Sequence, residues 1–157
     1  MTTTNAMRLL QKANIPFDTS EYEVDESDLS GVHAAEALGI DPDCMFKTLV
    51  ARGDKMGISV FCIPVAEELD MKKCAAVTGD KKIEMIHVKE LLGLTGYIRG
   101  GCSPIGMKKK YPTFIDETAT LCARVYVSAG MRGQQIILAP DDLLRYTEAR
   151  YADLTRR

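Results

Sequence analysis

Histidine is scarce in this chain, with only two among 157 residues, so a histidine-rich metal site cannot be built. Five cysteines, Cys44, Cys62, Cys74, Cys102 and Cys122, are dispersed without a CxxC pair. Their odd number and spacing suggest neither a disulfide framework nor a zinc ribbon, and small buried thiols are the expectation for most of them. Also missing are HExxH, GxxxxGK[ST], GxGxxG and an EF-hand loop, which sets aside the metalloprotease, P-loop, dinucleotide-binding and calcium-loop readings. No run reaches the roughly 18 to 20 apolar residues that span a bilayer, and MTTTNAMRLLQK lacks the basic start and long apolar stretch of a signal peptide. A cytoplasmic protein with no membrane contact is expected.

A large excess of either charge is missing too, with 20 Lys and Arg against 22 Asp and Glu. The net charge of −2 argues against a protein that coats DNA, because such affinity is assembled from many phosphate contacts. Lysines nevertheless cluster at Lys72-Lys73, Lys81-Lys82 and Lys108-Lys109-Lys110, so a local contact with one RNA end is compatible. At 46% hydrophobic and 27% charged residues, the chain has the balance of a packed domain. With no repeat or linker in view, one domain over 1–157 is expected.

Local signals alternate along the chain. A helix is predicted from Asn5 to Ala13, capped by Thr4 or Asn5, then an extended segment from Phe17 to Val24. Ser30 caps a second helix that Gly39 closes, and Asp70 starts a third that Gly79 closes. Residues 45–52 and 57–65 read as a hairpin around Gly53-Asp54-Lys55-Met56. After a short helical or extended piece at 82–93, strands are predicted at 95–99, 113–116, 124–128 and 134–139, with Asp141 or Asp142 capping a last helix. Strands and helices do not alternate one by one, so the predicted class is α+β: a mixed, barrel-like sheet flanked by helices.

Three places stand out chemically. Alternation puts Lys47 on a face with Met45, Leu49 and Ala51, in a strand otherwise apolar on both sides. Such a lysine either guards an edge or points into a pocket that binds an anion or carbonyl. Gly100 to Lys110 gathers three glycines, one proline and three lysines; it is either a solvated loop or a backbone cradle for an anion. Ser128 ends a strand before a turn but lacks the GxSxG spacing and an assignable base, so it reads as a structural or substrate-binding hydroxyl. Cys102 and Tyr22, taken alone, are more ordinarily packing residues than reactive ones.

The segments MRLLQKANIPFDTSEYE, MFKTLV, IPVAEELDMKKCAAVTGDKKIEM, TGYIRGGCSPIGMKKKYPTFID, VYVSAGMRGQQIIL and YADLTRR, in that order, resemble the YbaK family of Cys-tRNA(Pro) deacylases. That family is related to the editing insertion domain of bacterial prolyl-tRNA synthetases. The resemblance implies a cofactor-free deacylase whose pocket takes the aminoacylated 3′ end of tRNA. Lys47, the lysine of the family's KTL motif, is the implied catalytic residue, anchoring the terminal adenosine or polarising the ester. Tyr22, Gly101 and Ser128 are the implied pocket positions; Gly100, Ser103 and Gln135 are further substrate-binding candidates, with the Gly100-Gly101 backbone assigned to the ester carbonyl. Lys108, Lys109 and Arg132 are candidates for tRNA contact, the two lysines separating this branch from alanine-specific relatives. Gln135 stands where the family often has aspartate and Ala129 where it has glycine, so amino-acid choice can differ. Prolyl-tRNA synthetase is the implied transient partner. The alternatives are a deacylase for Ala-tRNA(Pro) or other small aminoacyl-tRNAs, and a non-catalytic module that binds tRNA ends or a synthetase.

Overall fold

A computed structural model describes residues 2–25 and 27–156. Helix α1 (Asn5–Lys12) begins where Thr4 Oγ1 accepts the Met7 N–H, satisfying one of the donors a helix start leaves open. It buries Ala6, Met7 and Leu10. Strand β1 (Asp18–Glu21) follows, and then α2 (Gly31–Leu38), capped by Ser30 and closed by Gly39 at φ 66°. Gly31 lets α2 pack down: a Cβ there would lie 2.4 Å from Val65 Cγ1.

The expected hairpin forms from β2 (Phe46–Gly53) and β3 (Gly57–Pro64), with Lys47 opposite Ile63 and Val50 opposite Val60. Its turn is fastened from outside by the Asp80 carboxylate, which accepts the Lys55 and Met56 N–H groups and the Thr78 hydroxyl. Asp80 is held below the usual carboxylate range chiefly by the Thr78 hydrogen bond. Helix α3 (Met71–Thr78) starts at Asp70, whose carboxylate accepts from Lys72 and Lys73 N–H. Strand β4 (Ile83–Met85) and helix α4 (Val88–Thr95) come next. Then follow β5 (Thr113–Asp116), a 3-10 turn over Glu117–Leu121, β6 (Val125–Ser128), β7 (Gln134–Leu138), α5 (Pro140–Thr147) and β8 (Arg150–Ala152).

Two sheets result, ordered β1-β7-β6 and β4-β2-β3-β5-β8. The pairs β3·β5 and β5·β8 are parallel and the others antiparallel, so the sheet is mixed, as expected. The two sheets meet at the isolated bridge Met45–Tyr126 rather than through a continuous ladder. One core lies between α1, α5 and the first sheet around Leu10, Val127, Ile136 and Leu143. Another lies between α3 and the second sheet around Phe61, Ile63, Cys74 and Leu154.

Three sequence expectations need correcting. Residues 95–99 are not a strand: α4 runs to Thr95, whose hydroxyl donates to the Leu91 carbonyl and accepts from Tyr97 N–H, and Gly96 caps the helix at φ 86°. Ala139 is the cap of α5, with Pro140 at its first turn and Asp141 and Asp142 inside that turn, where carboxylates favour the helix dipole. Cys44 and Cys122 form a disulfide with Cα atoms 5.9 Å apart. They are 78 residues apart in sequence, and only the meeting of β2 with β6 brings them together. Cys62, Cys74 and Cys102 are free and buried, as expected.

Candidate active site

β2 changes neighbours along its length, and the site opens where it does. Its C-terminal end pairs with β4 through Ala51, Arg52 and Gly53, and its approach is bridged to β6 at Met45. Between these contacts, around Lys47 to Leu49, the same edge has no strand partner among the described residues. A cleft of about 430 Å³ occupies the gap. The two readings of Lys47 therefore coincide: it lies on a locally unpaired edge, and that edge forms a pocket wall. Lys47 is half-buried and makes no ion pair or hydrogen bond among the described residues. Burial holds its ammonium below the ordinary lysine range, against the opposing pull of Glu68 and Glu67.

The three-stranded sheet gives the same cleft a polar wall. Ser128 on β6 and Gln135 on β7 are directly paired, which puts both side chains on one face, and both line the cleft. Ser128 Oγ accepts the Gly130 N–H; its hydroxyl shapes the turn while retaining a proton to donate. Gln135 is buried, and its amide makes no hydrogen bond among the described residues. Tyr22 completes this wall, its backbone N–H donating to the Gly133 carbonyl at 2.9 Å. Gly133 is needed for that approach, since a Cβ there would lie 2.9 Å from the Tyr22 carbonyl oxygen.

Opposite is the glycine loop. Gly101 N–H donates to the Ile98 carbonyl, closing a four-residue turn with Gly100 at its third position and φ of 85°, the conformation a type II turn demands there. Gly101 lies against the second turn, where a Cβ would come within 3.2 Å of Arg132 N and 3.3 Å of Met131 C. Arg132 Nε–H donates to the Arg99 carbonyl at 2.8 Å, and the Tyr97 hydroxyl donates to the Ile105 carbonyl. The loop is thus a fixed piece of backbone.

These contacts sort the sequence-level candidates. Lys47, Tyr22, Gly100, Ser128 and Gln135 line one cleft. Gly101 supports it from behind, and because its N–H is committed to Ile98 it is not the donor expected for an ester carbonyl. Ser103 is fully buried and accepts the Ile105 N–H, a turn role outside the cleft lining. Arg132 ties the two turns together. Lys108 and Lys109 are exposed beyond the cleft, and Lys110 pairs with Glu148. Cys102 does line the cleft, yet burial pushes its thiol up to about 12, so it is protonated at neutral pH and unsuited to attack. Missed by sequence reasoning were Arg99 and the apolar wall of Met85, Ile86, Val88 and Leu91. Arg99 directly precedes the two glycines, and a turn-type assignment would have shown it at an exposed corner.

Residues 29–146 match the aminoacyl-tRNA editing domain, and the chain belongs to that family. It is 48% identical over 154 residues, 98% of this chain and 94% of the relative, to the provisionally named Cys-tRNA(Pro)/Cys-tRNA(Cys) deacylase EbsC of Enterococcus faecalis. A proline–tRNA ligase of Shouchella clausii is 31% identical over 104 residues, 66% of this chain but 18% of the ligase. The crystal structure of a protein provisionally described as a trans-editing enzyme for prolyl tRNA synthetase superposes with a TM-score of 0.82 at 25% identity, covering 99% of this chain and 100% of that one. The family expected from the sequence motifs is therefore the family found.

Proposed function

We propose that this chain hydrolyses the ester of mischarged Cys-tRNA(Pro), with the terminal adenosine and its cysteinyl group held in the cleft around Lys47. The observation that carries this reading is the composition of the cleft. An unpaired lysine, a free amide and the hydroxyl-bearing side chains of Tyr22 and Ser128 line it together, while Cys102, the thiol that lines it, is pushed up to about 12. Such a site binds and polarises; it does not supply an attacking group. An aminoacyl ester is reactive enough for positioning and electrostatic stabilisation to drive cleavage.

For a cysteinyl ester the attacking group is already in the substrate. Its sulfur forms a bond to the carbonyl carbon, the bond to the ribose oxygen breaks, and the thiol proton ends on that oxygen. Water then opens the resulting thiolactone to cysteine. Lys47 anchors the adenosine end or polarises the carbonyl, and Gln135 and Tyr22 offer hydrogen bonds to the amino-acid side. The expected partner is prolyl-tRNA synthetase, which would select the tRNA while this cleft reads the acylated end; the likeness to part of a proline–tRNA ligase supports that assignment. Amino-acid release from Cys-tRNA(Pro), Ala-tRNA(Pro) and Cys-tRNA(Cys), by wild type and Lys47→Ala, tests the reading. Cysteine release lost in the variant supports it; release of alanine alone overturns the cysteine assignment, and no turnover overturns catalysis.

A further inference from the structure

The cleft has two cations and two unlike walls. Lys47 is half-buried, whereas Arg99 is exposed at the corner of the Ile98–Gly101 turn, and both line the cleft. Its guanidinium has no hydrogen bond or ion pair among the described residues. Its backbone is fixed all the same, because the Arg99 carbonyl accepts from Arg132 Nε and Gly101 N–H closes the turn. Met85 and Val88 line the same cleft yet remain 44% and 61% exposed, and Leu92, one helical turn beyond Val88, is 53% exposed.

We infer that Arg99, together with Met85 and Val88, forms a second subsite for the nucleotide preceding the terminal adenosine. Arg99 takes its phosphodiester, and the apolar rim takes the face of its base. This rests on the deacylase reading for the direction of the bound strand. The chemistry suits it: an unpaired, backbone-anchored guanidinium is a phosphate ligand, and an exposed aliphatic rim gains by covering the apolar face of a base, whatever its sequence. Such a subsite gives grip on a single-stranded end despite a net charge of −2.

Calorimetry with adenosine and with the trinucleotide CpCpA, on the full chain, tests this. Wild type is expected to prefer CpCpA by about tenfold, and Arg99→Ala to reduce that preference to about twofold. The salt slope of log K should fall by about 0.7, one phosphate contact on a single strand. Arg99→Lys should restore part of the preference. Val88→Ser should weaken CpCpA with its salt slope intact, while Lys81→Ala, an exposed charge outside the cleft lining, serves as the control. An unchanged preference in Arg99→Ala overturns the subsite, and so does an equal loss for both ligands, which would mark a role in folding the loop. Cysteine release by the same preparations separates the two claims. An Arg99-dependent preference without deacylation keeps the subsite and sinks the deacylase, and deacylation without that preference does the reverse.

Discussion

Lys47 and the run Lys108-Lys109-Lys110 are the two lysine regions that attract attention along the chain, and they end in opposite settings. The run, with the higher charge density, is exposed outside the cleft, and Lys110 is absorbed by Glu148. The lone lysine sits half-buried and unpaired where β2 has lost a neighbour. Charge per residue of sequence therefore does not tell which lysine lines a cleft. What matters is whether the backbone around a charge leaves an opening and whether the charge already has a partner.

The predictions that could break this contrast run from large effects to small. Gly101→Ala should lower deacylation on the order of tenfold or more, because the added carbon meets backbone atoms of Met131 and Arg132 and forces the two turns apart; an effect under twofold in single-turnover rates would show the turns to be independently placed. Replacing both Cys44 and Cys122 by serine, or reducing the disulfide, should lower the melting temperature, since the cross-link closes a long loop worth roughly 4 kcal/mol in the chain-entropy account. An unchanged Tm with and without reductant counts against the bond in the folded protein. Gln135→Asp should shift relative rates between cysteinyl and alanyl substrates by about fivefold, as a charged acceptor replaces a neutral one, and an unaltered ratio would remove Gln135 from the amino-acid side.

The smallest effect concerns pH. Burial depresses Lys47, while Glu68 and Glu67 raise it. The ammonium is present below its folded pKa and is lost as pH rises through it. Glu68→Gln removes one supporting charge and should move the alkaline loss of CpCpA affinity to lower pH, whereas Lys47→Arg should abolish that loss. Identical pH profiles for wild type and Glu68→Gln would detach the titration from Lys47.

Local signals were the legible ones. Thr4, Ser30 and Asp70 cap helices, Gly39 and Gly79 end them, and β2 and β3 pair as the expected hairpin, because each depends on chemistry within a few residues. Lys47 was visible as a break in alternation, though only the change of neighbours along β2 shows that its edge opens into a cleft. Ser103 and Arg132 looked available in sequence, but a turn amide and a carbonyl claim them. The Cys44–Cys122 disulfide depends on a tertiary meeting that no local window contains, whereas the Arg99 corner is a four-residue turn whose place in the cleft only the fold shows. Tyr97 and Ile98 have strand propensity, yet the Thr95 hydroxyl and Gly96 finish a helix there.

Comparing Lys47→Ala directly with the double variant Lys108→Ala/Lys109→Ala, in single-turnover release of cysteine from Cys-tRNA(Pro), tests the central claim. The lone lysine should cost on the order of 100-fold and the pair less than about threefold. A large loss from the pair with near-normal release by Lys47→Ala would contradict the placement of the chemistry in this cleft.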